Sequence, residues 1–242
     1  MKSILLVPFH ERGYRKLARY LEETSSHYTV YLPLPLEFCR KPVLDERIFT
    51  GLSGYIRVWS SVLEALRSCE NCVCYLTLDY FEKTLDFSVK LVGLVLKAKI
   101  FEKINPSEWL NLLPEKIEPK VPTTWSGVLV VDRFIDYAVL VKKNVEFDYV
   151  SQLESFIPTP LDLLLLIRSG LIKWNCDISD IIKWVVRYLG DYVLTSRDLT
   201  GAYDRLVKSE EYLNLIHECT NDPFPLLAVL HYSLNMSSKP AL

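Results

Sequence analysis

The sequence is poor in several residues whose presence or absence narrows the class of protein. It has 242 residues, of which 8 are glycine, 2 are methionine and one, Gln152, is glutamine. With so little glycine, neither G-x-G-x-x-G nor G-x-x-x-x-G-K-[ST] occurs, which argues against a phosphate-wrapping loop. Depletion of glutamine and methionine is typical of hyperthermophilic proteins, which avoid thermolabile residues. We therefore expect a thermophilic source.

Charge and hydropathy exclude two kinds of partner. The formal net charge is −2, and the 28 lysines and arginines are scattered along the chain, which gives no electrostatic footprint for a nucleic acid. Apolar runs are short, as in "LLLLI" from Leu163 to Ile167, and fall far below the roughly 20 residues that cross a bilayer. We expect neither a nucleic-acid partner nor a membrane span.

The first residues predict a strand rather than a targeting signal. The opening "MKSILLVPFHERG" has one lysine and a short apolar stretch, without a small-residue cleavage site before the charged turn. We therefore expect a cytoplasmic protein.

The six cysteines are unevenly spaced. Cys69, Cys72 and Cys74 lie close together, whereas the other three are distant in sequence. Zinc sites usually combine two short cysteine or histidine pairs, and no second C-x-x-C occurs. Buried free thiols or one disulfide are therefore expected rather than zinc, and disulfides are compatible with a thermophilic cytoplasm.

Strand and helix patterns alternate in the first part of the chain. Short apolar runs predict strands, and amphipathic stretches between them predict helices. This rhythm predicts an α/β fold with a mainly parallel sheet flanked by helices in residues 1–150, and right-handed crossovers. The predicted strands are Ile4–Val7, Tyr28–Leu32, Cys72–Leu78 and Val128–Val131, and the predicted helices are Arg12–Glu23, Tyr55–Arg67 and Leu85–Phe101.

Residues 151–242 predict a mostly helical region, packed on the sheet as one compact unit. Thr159, Pro160 and Gly170 are cap, first-turn and stop signals for a helix from Pro160 to Ser169. Asp177 or Ser179 begins a second helix that closes at Gly190, and two more are expected at residues 196–208 and 223–234. The apolar segments "LDLLLLI" and "IIKWVV" could be buried internally or form the face of a homodimer, and periodicity does not decide between these.

Polar residues follow each predicted strand. Because carboxyl ends of parallel strands meet at one edge of a sheet, these residues could converge in one crevice. Histidine and carboxylates bind divalent metals, which lower the pKa of bound water. A carboxylate such as Glu11 or Glu37 can serve as general base. Arginine can hold an anionic substrate. The candidates are His10, Glu11, Arg12, Glu37, Asp79, Asp132 and Arg133.

Simpler roles remain open for some of these residues. Asp79 could cap the helix that begins near Tyr80. Arg133 could form a surface ion pair with Asp132 or Asp136.

The order of the motifs resembles the TraB family, which is related to the Tiki peptidases and to ChaN-like and erythromycin-esterase-like proteins. "LLVPFHERGYRKLARYLEE" and "YTVYLPLPLEFCRK" resemble its strand ending in GxxH and its later strand ending in glutamate. "SGVLVVDRFIDYAVLVKK" is similar to its strand ending in Asp-Arg, "VLTSRDLTGAYDRL" to its Glu-Arg-Asp helix, and "YLNLIHECTNDPF" to its second GxxH strand. The chain departs from these motifs at Val7, Asn214 and Ser196, which replace two glycines and a glutamate.

The resemblance implies a set of roles for this divergent member. His10 and His217 would be ligands of a divalent metal such as Mn, Co or Zn, with Glu37 as third ligand or general base. Orientation of those ligands would fall to Asp132, Arg133, Arg197 and Asp198.

Three hypotheses follow from these observations. The first is a TraB-like metal-dependent hydrolase acting on a peptide or a small molecule. The second is a non-catalytic ligand-binding or protein-interaction module on the same fold. The third is a Rossmann-like nucleotide-binding domain.

Overall fold

The computed structural model describes residues 2–40, 52–118 and 120–221. The chain divides into two compact units: Met1–Lys90 with Pro119–Glu154, and Leu91–Glu118 with Ser155–Leu242. The predicted boundary near residue 150 differs from this division, because residues 91–118 belong to the same unit as the C-terminal residues. The expected helix at residues 223–234 lies outside the described residues.

The first unit is built around a five-stranded sheet with the order β3-β2-β4-β1-β5, in which all adjacent pairs are parallel. The central strand β4 is buried along its whole length, whereas the edge strand β5 is mostly exposed. The strands are β1 (Lys2–Leu6), β2 (Val30–Pro35), β3 (Cys72–Leu76), β4 (Gly127–Val131) and β5 (Tyr149–Gln152).

Helices occupy most of the remaining described chain. A 3₁₀ turn (Leu66–Ser68) follows α3, and a π-helix (Tyr188–Val193) follows α8. The helices are α1 (Glu11–Thr24), α2 (Leu36–Arg40), α3 (Ser53–Ala65), α4 (Leu78–Phe101), α5 (Pro106–Leu112), α6 (Phe134–Lys142), α7 (Pro160–Arg168), α8 (Ile178–Arg187), α9 (Leu199–Val207) and α10 (Glu210–Cys219).

The predicted α/β fold is confirmed, as is the helical character of the C-terminal half. The strand β5 escaped prediction, because "YVSQ" is short and largely polar at an exposed edge. Gly190 does not end a helix, since the π-helix runs through it.

The topology marks one position on the sheet for function. From β1 the chain crosses through α1 toward β2, whereas from β4 it crosses through α6 in the opposite direction toward β5. Right-handed crossovers then place α1 and α6 on opposite faces of the sheet. A crevice is expected outside the carboxyl ends of β1 and β4, where the connections diverge.

Two prolines separate β2 from β4 at the same edge. The pairing of these strands stops after Tyr31 and Leu129. The next ladder donor to the carbonyl oxygen of Val130 would be the backbone nitrogen of Pro33, which carries no hydrogen. The Tyr75 hydroxyl donates to that oxygen instead, at 2.8 Å.

The second unit buries its apolar segments internally. Leu163, Leu164 and Leu166 of α7 and Ile181 and Ile182 of α8 are all fully buried. "LDLLLLI" and "IIKWVV" therefore supply the core of this unit. Among the described residues, the large apolar side chains that remain exposed within a helix are on α4, at Val89, Val92, Leu96, Ile100 and Phe101.

All six cysteines form disulfides, so the expectation of free thiols or a single disulfide is wrong. The pairs are Cys39–Cys74, Cys69–Cys72 and Cys176–Cys219. The first pair forms because β2 and β3 are neighbours, which brings the short helix α2 and its Cys39 beside β3. Such proximity depends on tertiary pairing and is invisible in the spacing of cysteines.

Among the described residues, no helix combines the length and the apolar character that crossing a membrane requires.

Candidate functional site

The predicted site residues are divided between the two units. Those of the first unit follow strand ends as expected: His10, Glu11 and Arg12 after β1, Glu37 after β2, Asp79 after β3, and Asp132 and Arg133 after β4. Arg197, Asp198 and His217 belong to the second unit.

Asp132 has a carboxyl group whose pKa lies far from its ordinary value. It follows the central strand at the divergence of the connections and is half-buried. Its Oδ2 accepts a hydrogen bond from the Tyr14 hydroxyl at 2.7 Å. Burial raises the pKa of the Asp132 carboxyl to about 7, although the Tyr14 hydrogen bond and the charge of Arg133 oppose the rise. This carboxyl group can therefore gain or lose a proton near neutral pH.

Arg133 does little to offset the cost of ionising Asp132, because Asp136 holds its guanidinium. Nε and one terminal nitrogen of Arg133 donate to Asp136 Oδ2, at 2.8 and 2.5 Å. The guanidinium also lies 5.1 Å from the ring centre of Tyr80. Burial lowers the pKa of Arg133, but Asp136 and other anionic partners outweigh it, so the pKa is raised overall. Of the two simpler pairings expected for Arg133, the structure shows the one with Asp136, which is 4% exposed.

Aromatic side chains lie around the Asp132 carboxyl group. The ring of Phe9 lies 5.7 Å from those of both Tyr14 and Tyr55. Burial is the largest cause of the raised pKa of Tyr55. The charge of Arg133 lowers the pKa of Tyr55, and the charge of Asp132 raises it. We call Asp132, Tyr14, Tyr55, Phe9 and Tyr80 the Asp132 site. Apart from the fully buried Tyr14, its members are half-buried and so reach solvent.

His10 caps helix α1 with its side chain. Its Nδ1 accepts a hydrogen bond from the backbone N–H of Gly13 at 3.0 Å, so a neutral ring carries its proton on Nε2. Nε2 lies 3.3 Å from Oε2 of Glu154, and the two side chains are 1% and 7% exposed. Both ring nitrogens thus face protein groups, and a metal at either one would have to displace a contact.

Gly13 is required at this cap because of its backbone surroundings. A Cβ atom at position 13 would lie 2.5 Å from the carbonyl oxygen of Pro8. The same turn is closed by a hydrogen bond from the His10 N–H to that oxygen at 2.8 Å. The glycine that this segment needs therefore follows the histidine, whereas in the GxxH motif the glycine precedes it.

Glu154 gathers positive charge from α1. Its Oε1 lies 2.6 Å from Arg12 Nε and 2.8 Å from Lys16 Nζ. Burial raises the pKa of Glu154, but hydrogen bonds from Lys16 and Arg12 outweigh burial and leave the pKa lowered. Arg12 is thus engaged in tying α1 to the segment after β5.

The remaining carboxylates of the first unit lie at the surface or its margin. Glu11 approaches Arg57 of α3 at 3.8 Å, and Glu37 is exposed. Asp79, also exposed, forms an ion pair with Lys83 one helical turn later, at 2.7 Å. None of these three contacts Asp132 in the described contacts.

In the second unit, the prediction of a strand ending at His217 is wrong. His217 is exposed in the last turn of α10, whose buried residues Tyr212, Ile216 and Cys219 have the spacing of a helix face. Asp198 caps α9 by accepting from the Gly201 N–H at 2.8 Å, and Arg197 beside it is exposed. Over residues 2–40, 52–118 and 120–221, no three His, Cys, Asp or Glu side chains are arranged to hold a metal ion.

Sequence reasoning missed Tyr14, Tyr55 and Glu154. Glu154 follows a strand that was not predicted, so its place at the sheet edge was hidden. Tyr14 and Tyr55 lie on helix faces that indicate core packing, and only the tertiary structure turns their hydroxyl groups and rings toward Asp132. The ion pair of Arg133 with Asp136, by contrast, was one of the two pairings that the sequence indicated.

Comparison of the chain with protein-family models, with curated proteins and with solved structures found no match. The assignment of roles at this edge of the sheet therefore depends on the chemistry of the residues themselves.

Proposed function

We propose that the Asp132 site binds a small ligand carrying a hydroxyl or amine donor, and that Asp132 exchanges a proton with it near neutral pH. The observation that carries this proposal is a carboxyl group with a pKa of about 7 at the carboxyl end of the central strand. Strongly shifted carboxyl groups in such positions are characteristic of acid–base sites.

The surroundings of Asp132 fit a ligand of this kind. The Tyr14 hydroxyl fixes one carboxyl oxygen, so the other, Oδ1, is the atom that a ligand would address. Half-buried Phe9, Tyr55 and Tyr80 offer apolar ring faces, and binding sites combine such walls with a few placed polar groups.

This proposal corresponds to a ligand-binding module with acid–base capacity. The TraB-like metal-dependent hydrolase remains a prediction, supported by the α/β fold and by the position of His10 and Asp132 at one sheet edge. Its metal chemistry gains less support, because the His10 ring already contacts Gly13 and Glu154. A nucleotide site is disfavoured by the same cap, since the Gly13 N–H that could bind a phosphate is taken by His10.

The test pairs Asp132→Asn with Asp79→Asn, because Asp79 is an exposed aspartate that follows the edge strand β3 of the same sheet. A library of small alcohols and amines would be screened by ligand-observed NMR at pH 6 and pH 8. We expect ligands that bind the wild type and Asp79→Asn but lose at least tenfold in affinity with Asp132→Asn. Binding that is equal in all three proteins would contradict the proposal.

Metal analysis separates the hydrolase from this proposal. Wild type, His10→Ala and the control His27→Ala would be purified and their Mn, Co and Zn contents measured. We expect no stoichiometric metal that depends on His10. Metal at one equivalent that is lost only in His10→Ala would favour the hydrolase, and stabilisation by added nucleotide would favour the third hypothesis.

A further inference from the structure

Two disulfides lie side by side at the edge strand β3. Cys69–Cys72, which we call the outer pair, joins the residue after the 3₁₀ turn to the first residue of β3. Cys39–Cys74, the inner pair, joins α2 to the third residue of β3. Cys39, Cys69 and Cys72 line one groove of about 450 Å³, and Cys74 is buried.

The two pairs make unequal contributions to the fold. The inner pair joins residues 35 positions apart, whereas the outer pair joins residues only three positions apart. The stabilisation that a disulfide gives by restricting the unfolded chain grows with the length of the closed loop. The outer pair therefore contributes the less to stability, and a C-x-x-C pair in an α/β protein is typical of redox chemistry.

Strand geometry places one cysteine of each pair together. Side chains two residues apart on a strand point to the same face, so Cys72 and Cys74 are neighbours on one side of β3. Cys69 reaches the same groove from outside the strand. An incoming thiol at Cys69 would thus be linked through Cys72 to the inner pair.

We infer that these four cysteines form a disulfide relay that carries two electrons from an external dithiol to the inner pair. A thiolate of the dithiol attacks Sγ of Cys69, the outer S–S bond breaks, and Cys72 leaves as a thiolate. The second thiol of the dithiol attacks its own mixed-disulfide sulfur, so the dithiol leaves oxidised and Cys69 is released as a thiol.

The second stage transfers the electrons inward. The Cys72 thiolate attacks Sγ of Cys74, the inner S–S bond breaks, and Cys39 leaves as a thiolate that takes up a proton. The Cys69 thiolate then attacks Sγ of Cys72, which restores the outer pair and releases Cys74 as a thiol. In sum, two electrons and two protons pass from the dithiol to Cys39 and Cys74.

Reduction kinetics of the full-length protein test the relay. Dithiothreitol would be the dithiol, and the state of each pair would be followed by timed alkylation and peptide mass spectrometry. In the double variant Cys69→Ser with Cys72→Ser, we expect the inner pair to be reduced at least tenfold more slowly than in the wild type. Cys176–Cys219 is the internal control, and its rate should be the same in both proteins. Reduction of the inner pair at the wild-type rate in the variant would overturn the relay.

A single substitution tests the inward step without any reductant. In Cys69→Ser, the thiol of Cys72 has lost its partner but keeps its place beside Cys74. We expect peptide mapping to find Cys72 disulfide-bonded to Cys74 or Cys39 in a measurable share of molecules. A Cys72 that stays fully reduced beside an intact inner pair would overturn the relay, and the circular dichroism spectrum verifies that each variant is folded.

Discussion

Two carboxyl groups near α1 are held in opposite ways. Glu154, after the edge strand β5, has Arg12, Lys16 and His10 around it, and its pKa is lowered. Asp132, after the central strand β4, has a neutral hydroxyl as its close partner, and burial raises its pKa to about 7. The guanidinium of the adjacent Arg133 forms an ion pair with Asp136.

The difference separates a structural carboxylate from a reactive one. A carboxylate surrounded by cations is stable as an ion, so it fastens elements together and has little tendency to exchange its proton. A carboxyl group kept from its neighbouring cation remains poised between two protonation states. Stability is lost at such a site, which is the usual cost of a functional group.

Replacement of Glu154 should have the largest effect on stability. Glu154→Gln removes the charge that Arg12 and Lys16 share and that faces His10, and we expect a loss of about 3 kcal/mol at pH 7, discounted because both cations are partly exposed. Because the folded pKa of Glu154 is lowered, its contribution is present above the unfolded pKa and is lost as the pH falls through the folded value. The deficit in urea denaturation should therefore shrink in acid.

The matched control for Glu154 is Glu37→Gln, at an exposed glutamate of the same unit. This variant should unfold with the wild-type midpoint, within about 0.5 kcal/mol. A Glu154→Gln protein as stable as this control at pH 7 would refute the structural role.

Replacement of Asp132 should have the opposite sign. Its folded pKa of about 7 lies above the ordinary value of 3.8, so the wild type loses stability as the pH rises from about 4 to about 7 and changes little beyond. The full shift would amount to about 4 kcal/mol, and partial exposure to solvent reduces this to about 2 kcal/mol. We expect Asp132→Asn to be more stable than the wild type by that amount at pH 8 and nearly equal at pH 4.

Urea denaturation across this pH range checks the prediction, with Asp79→Asn as the control that should follow the wild type at every pH. If Asp132→Asn were less stable than the wild type at pH 8, the carboxyl group would be a satisfied structural anion like Glu154.

The smallest effect is expected from the hydroxyl of Tyr14. Tyr14→Phe removes the hydrogen bond that lowers the pKa of Asp132, so this pKa should rise from its value of about 7, with a stability loss of about 1 kcal/mol. Carbon-13 NMR of the aspartate carboxyl groups measures the pKa directly. Tyr75→Phe is the matched control, because it loses a part-buried hydrogen bond to Val130 and keeps the hydrogen bond between Tyr14 and Asp132. An equal shift in the pKa of Asp132 in both variants would contradict a specific role for the Tyr14 hydroxyl.

The sequence predicted the parallel sheet because buried strands are continuous apolar runs, as "GVLVV" shows, and capped helices carry local signals, as at Thr159 and Pro160. It also placed Asp132 at the sheet edge correctly. It missed Glu154 and Tyr14, since their partners come from distant parts of the chain. His217 was assigned to a strand because motif order outweighed the helical spacing of Tyr212, Ile216 and Cys219. Disulfide pairing at Cys39 and Cys74 likewise required knowledge of which strands are neighbours.

The pair of prolines in β2 has a further consequence for the Asp132 site. The backbone nitrogen of Pro33 carries no hydrogen under any condition, so the covalent structure of the chain itself ends the pairing of β2 with β4. A change of pH, a bound ligand or substitution of the surrounding aromatic residues cannot extend the pairing of β2 with β4 at this position. The point at which the pairing of β2 and β4 ends therefore does not depend on which side chains lie at this edge of the sheet.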